Sequence, residues 1–440
     1  MQKITGDKGV MESQVKVSCI MPTHNRSDLL VRALDSLMAQ SLKEIEIIVV
    51  DDASTDDTPD IIKQRMQLDH RLHVVRNDEN SGPAQSRNIG YGLAKGEYVI
   101  FLDSDDYFLH SMLEKAYTLA NLYHSDLVVF DRILADNNQM PDIQKGIDQI
   151  HIALYEKGNR NAYITKLRNV PWNKLVAKKL LDEYCIQFQD LPAGNDIFYS
   201  YAVSLAASRT LITNEPLLVY FSNSDANISA SAKAASCNEV FAFQKVFAFM
   251  QNIKVEEQII VEMTDHAVRC ITENANNRIR KFGRCDMNEK IASAKVFQEY
   301  IKSVVQRYPV HKQTRYFAAK LESGSDMLKN GQYRNYGKLA AVLCEIAGRI
   351  GIKIALWGCG KIGTEILYYM EEENCRVDYV IDQNEEKQGK NILGYTICSF
   401  HDIGTEVDVI LVSTHKFIAE ILELAKNKVV IDLCSYIQKM

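Results

Sequence analysis

From Val15 to Leu102 short apolar runs and helix-period segments take turns, and this alternation restricts the possible folds more than any other feature of the chain. "VKVSCIM" (Val15 to Met21), "EIEIIVV", "RLHVVR" and "YVIFL" have the length and β-branched content of strands. Between the first two, Leu29, Leu30, Ala33, Leu34, Leu37 and Met38 recur at helical spacing. Thr58 and Pro59 supply an N-cap and a first-turn proline for a second helix, and "PAQSRNIGYGLA" reads as a third. Strand and helix in strict succession predict an α/β fold whose mostly parallel sheet is covered on both faces. Ligands of such sheets bind beyond the carboxyl ends of the strands.

Three of those strand ends are polar: "PTHNR" after the first, "DDASTDD" after the second and "DSDD" after the fourth. In "YVIFLDSDD" a buried strand is aimed at Asp103, Asp105 and Asp106, three carboxylates within four positions. Such groups repel one another unless a cation sits among them, and carboxylate oxygens suit Mg²⁺ or Mn²⁺. Ions of this type are held by one or two carboxylates plus substrate phosphates, so a diphosphate substrate would complete the site. Ser104, Asp105 and Asp106 read alternatively as the cap of the next helix.

A chain of 440 residues exceeds one ordinary core and predicts two to three domains. Its net charge of -6 gives no sign of a nucleic-acid partner. Ten cysteines without a C-x-x-C pair argue against a zinc ribbon or a disulfide framework and for a reducing, cytoplasmic setting. The opening residues lack the apolar run of a leader. The most apolar window, "LAAVLCEIAGRIGIKIALWG", is interrupted by Glu345, Arg349 and Lys353, so no bilayer span is expected.

"VSCIMPTHNRSDLLVRALDSLMAQ", "EIIVVDDASTDDT" and "NSGPAQSRNIGYGLAKGEYVIFLDSDD", in that order and spacing, resemble family 2 glycosyltransferases of the GT-A fold. The likeness continues through "WNKLVAKKLL" and "AGNDIFYSYAVSLAAS" to "LLVYFSNSDANIS". It implies a sugar-nucleotide donor, a UDP sugar by preference, and a bacterial surface glycan or lipid-linked precursor as acceptor. By this resemblance Pro22, Thr23, His24 and Asn25 line the base, with His24 where relatives usually have tyrosine. Asp51 or Asp52 accepts a hydrogen bond from uracil, and Asn80 and Arg87 pass close to the nucleotide. Arg87 reads alternatively as a helix-surface residue. Asp103 and Ser104 lie by the ribose, and Asp105, with Asp103, is the Mn²⁺ or Mg²⁺ ligand of the DXD motif.

The family's catalytic Glu-Asp pair is matched by Asn195 and Asp196, which makes Asp196 the expected base and puts Asn195 with Trp172, Asn173 and Lys174 on the acceptor side. One base acting in a single in-line displacement inverts the anomeric centre. A first-turn aspartate favoured by the helix dipole is the plainer reading of Asp196. Relatives often carry a basic residue near Ser222, which this chain lacks.

Domains are expected at 15–230 (GT-A), 231–349 (helical) and 350–440 (Rossmann-like). Residues 233–349 hold 19 Lys and Arg against 12 Asp and Glu, a balance of +7. That basicity suits an anionic acceptor or peripheral attachment to the inner face of a membrane, or else a solvated spacer. In the last segment Gly358, Gly360 and Gly363 form a G-x-G-x-x-G between a strand and a helix, with Asp382 at the next strand's end. This marks a second nucleotide site or a fold retained for packing and homo-oligomer assembly. Two other function classes fit the sheet: a sugar nucleotidyltransferase, whose first strand should end in a glycine-rich loop, and a non-catalytic binding or scaffold protein.

Overall fold

All seven residues of β1 (Val17–Thr23) are buried, as befits a central strand with both faces covered. The computed structural model describes residues 14–135, 149–221, 236–282, 285–323, 334–403, 405–414 and 418–433. Strand β2 (Ile45–Asp51) pairs with β1 in parallel, β3 (Leu72–Arg76) extends the sheet beyond β2, and β4 (Tyr98–Phe101) lies on the other side of β1. These are the four strands expected from the apolar runs.

Five further strands enlarge the sheet: β5 (Tyr107–Phe108), β6 (Leu127–Ala135), β7 (Ile152–Glu156), β8 (Lys174–Ala177) and β9 (Arg209–Phe221). The order is β3-β2-β1-β4-β8-β6-β9-β5, with β7 on β9. Strand β8 runs antiparallel to β4 and β6, whereas β6 and β9 are parallel with register breaks on either side of Asp131.

Helix α1 (Ser27–Met38) buries Leu30, Ala33, Leu34 and Leu37, the apolar stripe read from the sequence. The next helices are α2 (Thr58–Met66) and α3 (Gly82–Leu93). No apolar stripe marks α3; it buries Ala84, Ser86, Arg87 and Gly90 instead. A Cβ on Gly90 would stand 2.5 Å from Ile20 Cγ2, so glycine lets this helix lie close against β1. The remaining helices of the first compact unit, residues 1–259, are α4 (Met112–Leu122), α5 (Lys178–Glu183), α6 (Asn195–Ala206) and α7 (Glu239–Ile253).

Residues 260–440 form the second unit. Helix α8 (Glu257–Phe282) leads into α9 (Met287–Ser293), α10 (Lys295–Arg307), α11 (Lys312–Ser323) and α12 (Arg334–Ile350). Strands β10 (Ile354–Trp357), β11 (Tyr379–Ile381), β12 (Asn391–Ile392), β13 (Tyr395–Cys398), β14 (Val409–Val412) and β15 (Val429–Asp432) follow, with α13 (Lys361–Glu372) after β10. Their order is β12-β13-β11-β10-β14-β15, parallel except at β12.

The solvated spacer does not hold for α11 and α12. Tyr316 and Ala319 of α11 and Tyr336, Ala340 and Ala341 of α12 share one core with Ile354, Leu356 and Ile366. Lys320 of α11 and Glu365 of α13 form an ion pair at 2.5 Å, with side chains 1% and 0% exposed, and Tyr316 donates to the same carboxylate. A pair so deeply buried fixes how the helices dock, because removing either partner strands a charge in the core. Among the described residues no helix is long and apolar enough to cross a membrane, and the nine described cysteines are free thiols.

Candidate active site

The loops after β1 and β2 are stitched into one wall. His24 Nδ1 lies 2.7 Å from the Asp52 carbonyl, Asn25 N–H donates to Ser54 Oγ at 2.9 Å, and Thr55 N–H donates to Asn25 Oδ1 at 2.8 Å. Asn25 and Ala53 take positive φ of 51° and 58°, which turns both chains sharply off their strands. Pro22 and Thr23 are buried at the end of β1, and Thr23 Oγ1 has no hydrogen-bond partner among the described residues.

Asp51 and Asp52, adjacent in sequence, are differently engaged. Asp51 accepts from Ser54 N–H at 3.0 Å and pairs with Arg76. Asp52 accepts three donors: Asn77 Nδ2 at 2.7 Å, Ser81 N–H at 2.9 Å and Gly82 N–H at 2.7 Å. The last two are unpaired amides at the start of α3, so Asp52 caps that helix from a distant strand. Asn80, in the same turn, is exposed.

At the end of β4, Asp103 is 30% exposed, Ser104 is buried and Asp105 is half-buried. The Asp105 carboxylate receives no side-chain hydrogen bond among the described residues, and burial with the neighbouring charge of Asp103 pushes its proton affinity up. Asp106, buried, accepts from Phe221 N–H at 3.0 Å through Oδ1, while its Oδ2 has no partner among the described residues. Burial and both neighbouring aspartates push Asp106 well above the usual carboxylate range. Neighbouring carboxylates that raise one another's proton affinity favour a cation among them, so the residues fit Mg²⁺ or Mn²⁺. Arg32 holds this turn in place by donating to the Asp105 carbonyl at 2.8 Å.

Arg87 is no surface residue. It is 4% exposed, and its guanidinium donates to Asp103 at 2.7 Å and to Asp196 at 3.1 Å, with Asn195 Oδ1 at 3.5 Å. The ring of Phe188 lies 5.1 Å beneath it. Phe188 stacks on Tyr199 at 4.3 Å and meets Phe101 edge-on at 4.9 Å, so an aromatic cluster sets the start of α6 beside the end of β4. Asn88 clamps the backbone of Phe188 in both directions, at 3.0 and 2.8 Å. Sequence reasoning missed that clamp, although Asn88 directly follows Arg87.

Helix α6 begins after Gly194 at a φ of 74°, which places Asp196 in the first turn with its side chain 29% exposed. Burial raises its pKa to about 6; Asp103 adds to the rise, and the positive charges of Arg87 and Lys174 oppose it. Trp172, Asn173 and Lys174 are all buried. Lys174 donates to the carbonyls of Arg168 and Val170, both at 2.7 Å, and to Asn173 Oδ1 at 2.9 Å, while Asn173 Nδ2 donates to the Phe130 carbonyl at 3.1 Å. Burial pulls the Lys174 ammonium down to about 7. These residues brace the wall of the site from behind and do not face outward. Ser222 lies outside the described residues.

Residues 18–185 match the family model described as Glycosyl transferase family 2. Glycosyltransferase GlyG of Streptococcus pneumoniae serotype 4 is 30% identical over 213 residues, which is 46% of this chain and 70% of that protein. The chain belongs to glycosyltransferase family 2. Over 99 residues the glycosyltransferase is also 46% identical to a protein of Bacillus subtilis named putative teichuronic acid biosynthesis glycosyltransferase TuaG, across 22% of this chain and 39% of that one. Among solved structures, Staphylococcus aureus TarS 1-349 in complex with UDP-GlcNAc superposes with a TM-score of 0.52 at 20% identity, over 82% of this chain and 92% of that one. The fold is GT-A.

Residues 351–433 of the glycosyltransferase match a second model, described as C2185-like, N-terminal. There a Cβ on Gly360 would meet nothing within 4 Å. The crowded position is Gly363, whose Cβ would lie 1.7 Å from the Gly358 carbonyl oxygen, and Gly358 itself has a φ of 102°. The Asp382 carboxylate is engaged by Cys359 N–H at 2.9 Å, Asn384 N–H at 3.0 Å and Lys387 Nζ at 3.1 Å.

Proposed function

We propose that this glycosyltransferase transfers a sugar, with inversion, from a UDP-linked donor to a hydroxyl of a bacterial surface glycan or its lipid-linked precursor. The observation that carries the reading is the shared guanidinium of Arg87, which brings the donor-side Asp103 and the base Asp196 to one point. The name of TuaG supports a cell-surface polymer, and the UDP-GlcNAc of the TarS complex supports a UDP donor. A lipid-linked acceptor would place the work at the cytoplasmic face of the membrane.

In this mechanism the wall formed by His24, Asn25 and the 51–55 loop receives the base. Asp51, with two donors to Asp52's three, keeps the acceptor capacity for the uracil N–H. Asp105 and Asp103 would hold Mg²⁺ or Mn²⁺, which when bound neutralises charge on the departing diphosphate. Asp196 takes the proton of the acceptor hydroxyl, and a pKa of about 6 leaves it ionised at neutral pH yet more basic than an ordinary carboxylate. Arg87 fixes its orientation. We read the Gly358–Gly363 turn as structural, because Asp382 is spent holding it.

Calorimetry of UDP binding in saturating Mg²⁺ tests the assignment. Asp105→Ala should abolish metal-dependent binding and leave the melting temperature unchanged or slightly higher, since ionising Asp105 works against burial and the charge of Asp103. Parental affinity in the variant would remove the metal site from the account.

A further inference from the structure

Beside the DXD turn stands a cationic group that the mechanism above does not use. Arg132 follows the register break at Asp131, where β6 and β9 lose their regular pairing, and such irregularities re-aim side chains next to active sites. Its guanidinium carbon lies 5.8 Å from the ring of Trp172 and 5.7 Å from that of Tyr220, and these two rings stack at 5.3 Å and 25°. The side chain is 13% exposed, its Nε is buried without a partner among the described residues, and the carboxylate of Asp131 is 3.9 Å away. No hydrogen bond joins this guanidinium to any described residue. Burial lowers the proton affinity of Arg132, and the positive charge of the exposed Arg168 lowers it further.

The surroundings of Arg132 are tied to both sides of the proposed site. Tyr220 adjoins Phe221, whose N–H is bound by Asp106 of the DXD turn. Trp172 and Arg168 belong to the segment that Lys174 braces, and Lys174 is close enough to Asp196 to feel its charge. A guanidinium held on two aromatic rings without a hydrogen-bonded acid, under the charge of a second arginine, is favoured by an anion that joins it, and arginine forks match carboxylate and phosphate oxygens.

We propose that Arg132 and Arg168, backed by Trp172 and Tyr220, form an acceptor subsite for an anionic group, the phosphate or carboxylate of a charged glycan. This rests on the reading of the face between Asp105 and Asp196 as the place where acceptor meets donor. It extends that reading by requiring the acceptor to be negatively charged near the reacting hydroxyl.

Tryptophan fluorescence provides a readout independent of turnover. The chain has two tryptophans, Trp172 and Trp357, so full-length protein carrying Trp357→Phe reports on Trp172 alone. Inorganic phosphate, glucuronate and glucose are titrated separately, with and without UDP and Mg²⁺. Saturable change with phosphate, with glucuronate or with both, and none with glucose, is expected, and the anion that acts identifies the source of the charge. Arg132→Gln should weaken the response about tenfold, the worth of one charged hydrogen bond. Arg168→Gln, at an exposed position, should weaken it without risk to folding. A flat titration with both anions, or a response untouched by both substitutions, would overturn the subsite. Failure of UDP to bind would instead contradict the proposed function, and the titrations without nucleotide would still decide this one.

Discussion

Asp103 and Asp196, from the end of a strand and the start of a helix 93 positions later, are bound by one guanidinium, that of Arg87, at 2.7 and 3.1 Å. A buried arginine between two partly exposed carboxylates joins the proposed donor side and the proposed base in one electrostatic unit. Its two bonds use separate nitrogens, which a lysine could not reproduce.

Arg87→Met should therefore do two things at once. Stability should fall by about 3 kcal/mol, the low end for breaking a buried pair, because both carboxylates keep some contact with water. The pKa of Asp196 should also climb, since the nearest opposing charge is gone. Urea unfolding and the acid limb of the rate profile measure these separately. A stability loss with an unmoved acid limb would reduce Arg87 to a packing role.

The pH dependence follows from Asp196 itself. Its folded pKa of about 6 lies above the ordinary 3.8, so the folded state holds this proton more tightly than the unfolded chain does. The contribution to stability is present at low pH and is lost as pH rises from the unfolded value to the folded one. Activity should run the other way: kcat/KM should rise about tenfold per pH unit below the pKa and flatten above it, because only the carboxylate accepts a proton. In Asp196→Asn this contribution to stability should disappear, as pH-dependent unfolding of parent and variant would show.

In the C-terminal unit the glycines should separate by geometry. Gly363→Ala forces a Cβ against the Gly358 carbonyl and should cost at least about 2 kcal/mol, as overpacking does. Gly360→Ala meets open space and should leave thermal unfolding unchanged. Equal effects at the two positions would mean that the turn is not held as described.

How much of this was legible in the sequence depended on range. The parallel core was visible because β1, β2 and β4 are near-continuous apolar runs, and the acids at their ends stood out against them. Arg87 was ambiguous because α3 packs by small residues: Gly90 rather than a leucine faces β1, so no stripe revealed which side was inward. The docking of α12 joins Tyr336, Ala340 and Ala341 to Ile354, Leu356 and Ile366, partners that a helical repeat within α12 does not disclose. Lys174, expected on the acceptor side, is buried and donates to two backbone carbonyls as well as to Asn173, contacts that no side-chain pattern encodes. The contact of Arg132 with Trp172 and Tyr220 joins segments of β6, β9 and the turn before β8, and depends on strand register that composition does not carry.

UDP-sugar turnover by Asp196→Asn, measured as UDP release beside the affinity for UDP in Mg²⁺, tests the central claim most directly. The amide keeps the shape and a hydrogen-bonding oxygen but cannot take the acceptor proton. Turnover should fall by about 10² to 10⁴, the usual worth of a positioned base, with UDP affinity changed no more than a few-fold. Near-parental turnover in a variant that melts earlier would show that Asp196 serves the start of α6 and that the base lies elsewhere.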